Sequence, residues 1–110
     1  MPNESDLYGA IRKSASKLGG RLFRNNVGLF MTMAGNLTMG GLPTGSSDLI
    51  GWMPKDGLAV FSVVEIKSGR NKTSEDQDRF IIAVRKAGGF ACVARSVEEF
   101  ETEWEAFHGF

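Results

Sequence analysis

Glu65 and Lys67 stand two apart in Leu58 to Lys67, a run otherwise dominated by Val60, Phe61, Val63, Val64 and Ile66. On a β-strand that spacing puts both charges on one face, and so apolar a strand does not carry charges casually. Asp48 opens a shorter strand-like run, Asp48 to Trp52, and Pro54-Lys55-Asp56-Gly57 between the two runs supplies turn chemistry. With a two-residue loop at Asp56-Gly57, Lys55 stands opposite Leu58, and counting back along the hairpin sets Asp48 opposite Glu65. A four-residue loop keeps both on one face, whereas a three-residue loop turns Asp48 away. Opposed carboxylates repel each other, and buried ones need compensation. A hard divalent cation, Mg²⁺ or Mn²⁺, supplies it, bound through one or two carboxylates with a backbone carbonyl, waters and phosphate oxygens. Lys67 beside it would orient or deprotonate a water, or offset charge building on a phosphate under attack. The chemistry implied is phosphodiester hydrolysis; the bland alternative for Glu65 and Lys67 is an exposed pair on a strand face.

The elements that would hold these groups follow from periodicity. Leu7, Tyr8, Ile11, Ala15 and Leu18 predict a helix over Asn3 to Leu18, stopped by Gly19-Gly20, and Glu4 falls at the centre of that apolar stripe, pointing inward. Helix-dipole compensation in the first turn is its other explanation. Arg21 to Met33 alternates Phe23, Val27, Leu29 and Met31 against Arg24 and Asn26, the pattern of a half-buried strand. Ala34 to Ser47, rich in Gly, Ser and Thr, predicts a mobile loop. Ser74-Glu75-Asp76-Gln77 predicts a capping box for a second helix ending at Gly88-Gly89, with Gln77 on its apolar stripe beside Ile81 and Val84. Phe90 to Ala94 predicts a short buried strand, and Ser96-Val97-Glu98-Glu99 caps a last helix carrying Phe100, Trp104 and Phe107. The expected fold is α/β, in the order helix, three strands, helix, strand, helix (α-β-β-β-α-β-α).

The chain of 110 residues predicts one domain, 1–110, and its 42% apolar and 24% charged residues suit a globular fold. No apolar run approaches the length of a membrane span, and the N-terminal residues lack the order of a secretory signal, so a cytoplasmic protein with no membrane partner is expected. One cysteine, Cys92, and one histidine, His108, exclude an internal disulfide and a zinc cluster. The net charge of zero argues against a nucleic-acid partner only until it is mapped. Met1 to Arg95 holds all thirteen basic residues with eight acidic ones and carries +5, while Glu98, Glu99, Glu101, Glu103 and Glu105 put −5 on the last segment. The body can present a basic face to a polyanion.

Gly45-Ser46-Ser47-Asp48, Glu65-Ile66-Lys67 and Ser74-x-x-Gln77, preceded by a helix bearing Glu4, resemble the PD-(D/E)XK nuclease superfamily and, within it, the virus-type replication-repair nuclease family, VRR-NUC. The resemblance covers about Glu4 to Ser96. Ser47 stands where the superfamily has proline, a residue that shapes backbone and carries no chemistry. The resemblance implies a restriction-endonuclease-like core, a mixed sheet flanked by helices. It implies Asp48, Glu65 and the Ile66 carbonyl as metal ligands, with Glu4 an outer or second-metal ligand. Lys67 would position the attacking water, and Gln77 would orient the site. Similar small stand-alone members from viruses and phages act as homodimers on branched DNA, including four-way junctions. A module that binds nucleic acid on the same fold without cutting it, and a metal-free interaction domain, are the rival classes.

Arg24 and Asn26, with Asn25, are candidates for phosphate contacts from the first strand, as are Arg70 and Lys72 after the second carboxylate; a solvated surface is the alternative for each. Tyr8 and Trp52 fit core or interface better than base-stacking platforms. Cys92 reads as inert packing, and His108 as a tail residue. The aromatic stripe of the last helix offers either packing on the sheet or a homodimer contact, for which two symmetric cuts in a junction are the functional reason.

Overall fold

The computed structural model describes residues 4–109, so the expected first helical residue, Asn3, lies outside the described residues. Leu7, Ile11 and Ala15 form the buried stripe of α1, Glu4–Lys17. The strands that follow are β1 (Arg21–Arg24), β2 (Gly28–Met31), β3 (Leu37–Gly40), β4 (Leu49–Lys55) and β5 (Leu58–Ile66). Then come α2 (Glu75–Lys86), β6 (Phe90–Ala94) and α3 (Val97–His108).

One mixed sheet runs β1-β4-β5-β6. Its first two pairings are antiparallel, and β5 pairs β6 in parallel. A parallel neighbour demands a crossover, which α2 supplies. Side chains alternate across the sheet, and each face has its own cover. Leu22, Leu49, Met53, Val64 and Ile66 join α1 and α3 in the larger core, with Phe100 and Trp104 driven against Phe90. Val63 and Ala91 meet Ile81 and Val84 of α2 on the other face. The fold is the α/β arrangement expected, and its central sheet keeps the predicted order.

Two expectations change. The single strand over 21–33 is broken into β1 and β2, and the glycine-rich loop contains β3, so that β2 and β3 form a separate antiparallel ribbon. Asn25 causes the break. Its side chain donates to Ser46 Oγ at 2.7 Å and to the Ser47 carbonyl at 2.9 Å, and accepts from the Leu42 amide at 2.9 Å, which pulls the chain out of the sheet. The alternating pattern in Phe23, Leu29 and Met31 does not mark a half-buried strand, since all three are exposed.

Candidate active site

The hairpin joining β4 to β5 sets the geometry. Asp56 (φ +54°) and Gly57 (φ +77°) make the two-residue turn with both central residues left-handed, and Lys55 pairs with Leu58 as the turn chemistry predicts. The ladder runs back to Leu49 opposite Val64. One step further places Asp48 across from Glu65. The Asp48 carbonyl extends the β1 ladder by accepting from the Asn25 amide at 2.8 Å, and its Oδ2 accepts from the Ile66 amide at 2.8 Å. The loop before it is pinned by Asn25 and packs at Gly45, which takes φ +92° against the backbone of Asp76, where a Cβ would clash.

Glu65 is 2% exposed. Its Oε1 accepts from Gln77 Nε2 at 3.1 Å, while Oε2 is buried with no donor to meet it. Asp48 stands close enough for its carboxylate to act on Glu65. Burial first, then the hydrogen bond and charge of Asp48, push the Glu65 carboxyl up to about 8; Glu4 adds to the rise and Lys67 opposes it. Gln77 is fixed from both ends, because its Oε1 accepts from the Ser74 amide at 2.9 Å while Ser74 Oγ accepts from the Gln77 amide at 3.2 Å. The capping box of α2 thereby aims an amide at the buried carboxylate.

Asp48, Glu65, Lys67 and Gln77 therefore lie together. Glu4 reaches the same end of the sheet but is exposed, not inward-pointing as expected, and its Oε1 accepts from Ser68 Oγ at 3.3 Å. The reason is height along the helix. Glu4 is the first residue of α1, where the apolar stripe has run past the core. Tyr8 is a residue the sequence pattern does not assign to the site: it stands beside Asp48, and burial together with the Asp48 charge holds its hydroxyl protonated well above the ordinary tyrosine range. The Arg24 guanidinium covers the Tyr8 ring at 4.3 Å, which puts Arg24 on the α1 side of β1. Asn26 is exposed on the wall of a groove described below. Arg70 and Lys72 are exposed in the segment after β5, where Arg95 braces the backbone by donating to the Gly69 and Asn71 carbonyls at 3.2 and 2.7 Å. Cys92 is buried, its thiol pushed up to about 12 by burial, as inert packing requires.

Among the described residues no group of three or more His, Cys, Asp or Glu side chains is placed to hold a metal ion. Two carboxylates facing one another, one with a buried oxygen lacking any donor, still fit a hard divalent cation, since Mg²⁺ and Mn²⁺ take oxygen ligands and keep several waters. Such an ion, when bound, would polarise a phosphate and acidify a water.

Among curated proteins none matches the chain. The family model of the VRR-NUC domain matches residues 11–98, a span that takes in Asp48, Glu65, Lys67 and Gln77 and leaves Glu4 and Tyr8 outside. On that match over most of its length the chain belongs to the VRR-NUC domain family, which makes it a nuclease domain of the PD-(D/E)XK type.

Proposed function

We propose that this chain is a divalent-metal-dependent DNA endonuclease working as a homodimer on branched DNA such as four-way junctions, in the cytoplasm, with residues 1–110 as one nuclease domain. The observation that carries the metal dependence is the buried, donorless Oε2 of Glu65 facing Asp48. Asp48, Glu65 and the Ile66 carbonyl would hold Mg²⁺ or Mn²⁺, with Glu4 reaching an outer position. Lys67, on the face of Glu65, positions the attacking water or steadies the phosphate. Gln77 fixes the Glu65 carboxylate, and Tyr8 stands beside Asp48. Arg70 and Lys72 flank the site as phosphate contacts, and so do Arg24 at the end of β1 and Asn26 just after it. Of the described helices none is long and apolar enough to cross a membrane.

Homodimerisation needs a surface other than the one the sequence suggested, because Phe100 and Trp104 of α3 are spent on the core. The β2–β3 ribbon offers it. Leu29 pairs with Met39 and Met31 with Leu37, so four apolar side chains, each 62–65% exposed, share one face. A two-stranded ribbon is marginal alone in water. From Asn25 to Ser47 there is no charged residue, which suits an identical apolar face on a second copy better than a phosphate backbone.

The nuclease reading is tested by cleavage of labelled junctions with and without Mg²⁺. Lys67→Ala should abolish cutting while DNA still binds, and Glu65→Gln should lose cutting and weaken metal binding by calorimetry. Cutting at the wild-type rate by either variant overturns the assignment.

A further inference from the structure

The face of the sheet that carries the carboxylates is only half covered. Asp48, Ile50 and Trp52 alternate along the β4 line, and Glu65, Val63 and Phe61 along β5, so all six point to the α2 side. Helix α2 lies over β5 and β6. Toward β1 the same face is bare: Phe23 is 46%, Trp52 40% and Phe61 48% exposed. These rings adjoin. Trp52 pairs with Phe61 across the strands, and the Phe23 ring lies 5.8 Å from that of Trp52. They floor an open groove of about 570 Å³ whose walls include Asn25, Asn26 and Leu42.

Three large rings exposed side by side need an occupant. No acidic residue lines the groove, and just beyond its lining Arg21 stands opposite Trp52 in the ladder, one of its guanidinium nitrogens donating to the Gly20 carbonyl at 2.6 Å. The wall contributes the exposed Asn26 amide as a polar rim, the Asn25 amide being spent on holding the loop. Flat aromatic surface with an amide on its wall and a cation close by matches a nucleobase and its phosphate, since every base offers a π-face while a phosphate asks for the arginine. Distance agrees. Four residues of strand put Trp52 about 13 Å from Asp48, a few stacked nucleotide steps from the bond that the carboxylates would cut.

We propose that the Phe23, Trp52 and Phe61 shelf receives an unpaired nucleobase of the DNA strand whose backbone lies at the carboxylates, an inference that rests on the nuclease reading above. Bases within a duplex are stacked on their neighbours and have no free face to give the shelf. Strands that splay at a junction, flap or frayed end do. The shelf thus gives the protein a means of preferring branched over continuous DNA that requires no base-edge readout.

The chain has two tryptophans, and the other, Trp104, is 2% exposed in the core, so a change in exposed-tryptophan fluorescence reports Trp52. In chelator, where no cutting occurs, a thymidine oligonucleotide should quench that fluorescence. In parallel, anisotropy of the labelled oligonucleotide should show Trp52→Ala and Phe61→Ala each weakening binding at least tenfold, the size expected of one stacked base, with Trp52→Phe restoring most of it. Ile82→Ala, on exposed α2 surface, is the control. Wild-type affinity in folded Trp52→Ala and Phe61→Ala overturns the proposal. So does shielding of Trp52 from acrylamide that grows with protein concentration without DNA, which would make a second copy the occupant. Because binding is read without metal, failure of the nuclease reading shows separately, as an uncut junction in Mg²⁺.

Discussion

Among the described residues Glu65 is the one buried carboxyl group, and its proton is the most direct handle on the site. In the unfolded chain its carboxyl titrates near 4.5, whereas the folded protein holds the proton up to about 8. Between those values the native state binds more protons than the unfolded one, so the metal-free protein should lose stability as pH rises from 5 to 8. Asp48 and Glu4 steepen that loss and Lys67 softens it. Differential scanning fluorimetry should show the decline in chelator, a flatter profile in Glu65→Gln, and a stabilisation by Mg²⁺ that grows toward pH 8. A wild-type profile as flat as the variant's would contradict it. The Asp48–Glu65 pairing was legible because turn chemistry sets register, and register sets which residues face one another. Glu4 was misjudged since a helical wheel gives an angle but no height. Tyr8 escaped because a hydroxyl reaching from a helix to the start of a distant strand leaves no trace in either periodicity.

At the scale of elements, α2 is where stability and site share one residue. Ser74 and Gln77 cap the helix reciprocally, but only Gln77 also touches Glu65. Removing the hydroxyl in Ser74→Ala should cost about 1 kcal/mol of stability, read from chemical denaturation, and leave junction cleavage within about twofold. Gln77→Ala should cost a comparable amount and in addition lower cleavage at least tenfold, about 1.4 kcal/mol of barrier. Equal activities in the two variants would assign Gln77 to the cap alone. Both caps and the apolar stripes of all three helices could be read directly, being local signals. The split between β1 and β2 could not. It depends on Asn25 finding partners at Leu42, Ser46 and Ser47, contacts that exist only once the chain has folded back.

Across the whole molecule, the acidic last helix is kept to one face of the sheet. Helix α3 brings its glutamates to the side of the sheet shared with α1, where Glu101 accepts from Ser14 at 2.6 Å, and the carboxylate pair lies on the α2 side. The five glutamates of the last segment are thereby kept off the face that carries the carboxylate pair, while Glu75, Asp76 and Asp78 open α2 on that face. The β2–β3 ribbon stands apart from both cores. Replacing Leu37 and Met39 together by Glu should turn a micromolar dimer into a monomer in light scattering while the melting temperature of the fold changes little, since neither side chain is buried. A dimer that survives the double substitution would move the interface elsewhere.

The ribbon is also unusually rich in thioether sulfur. Met31, Met33 and Met39 project from it, whereas Met53 is fully enclosed between β4 and the helices. Peroxide would therefore oxidise the ribbon long before the core, turning its flexible apolar side chains into polar sulfoxides. An oxidised chain would keep its sheet and lose the apolar character of the ribbon's exposed face. Reductase repair would restore it.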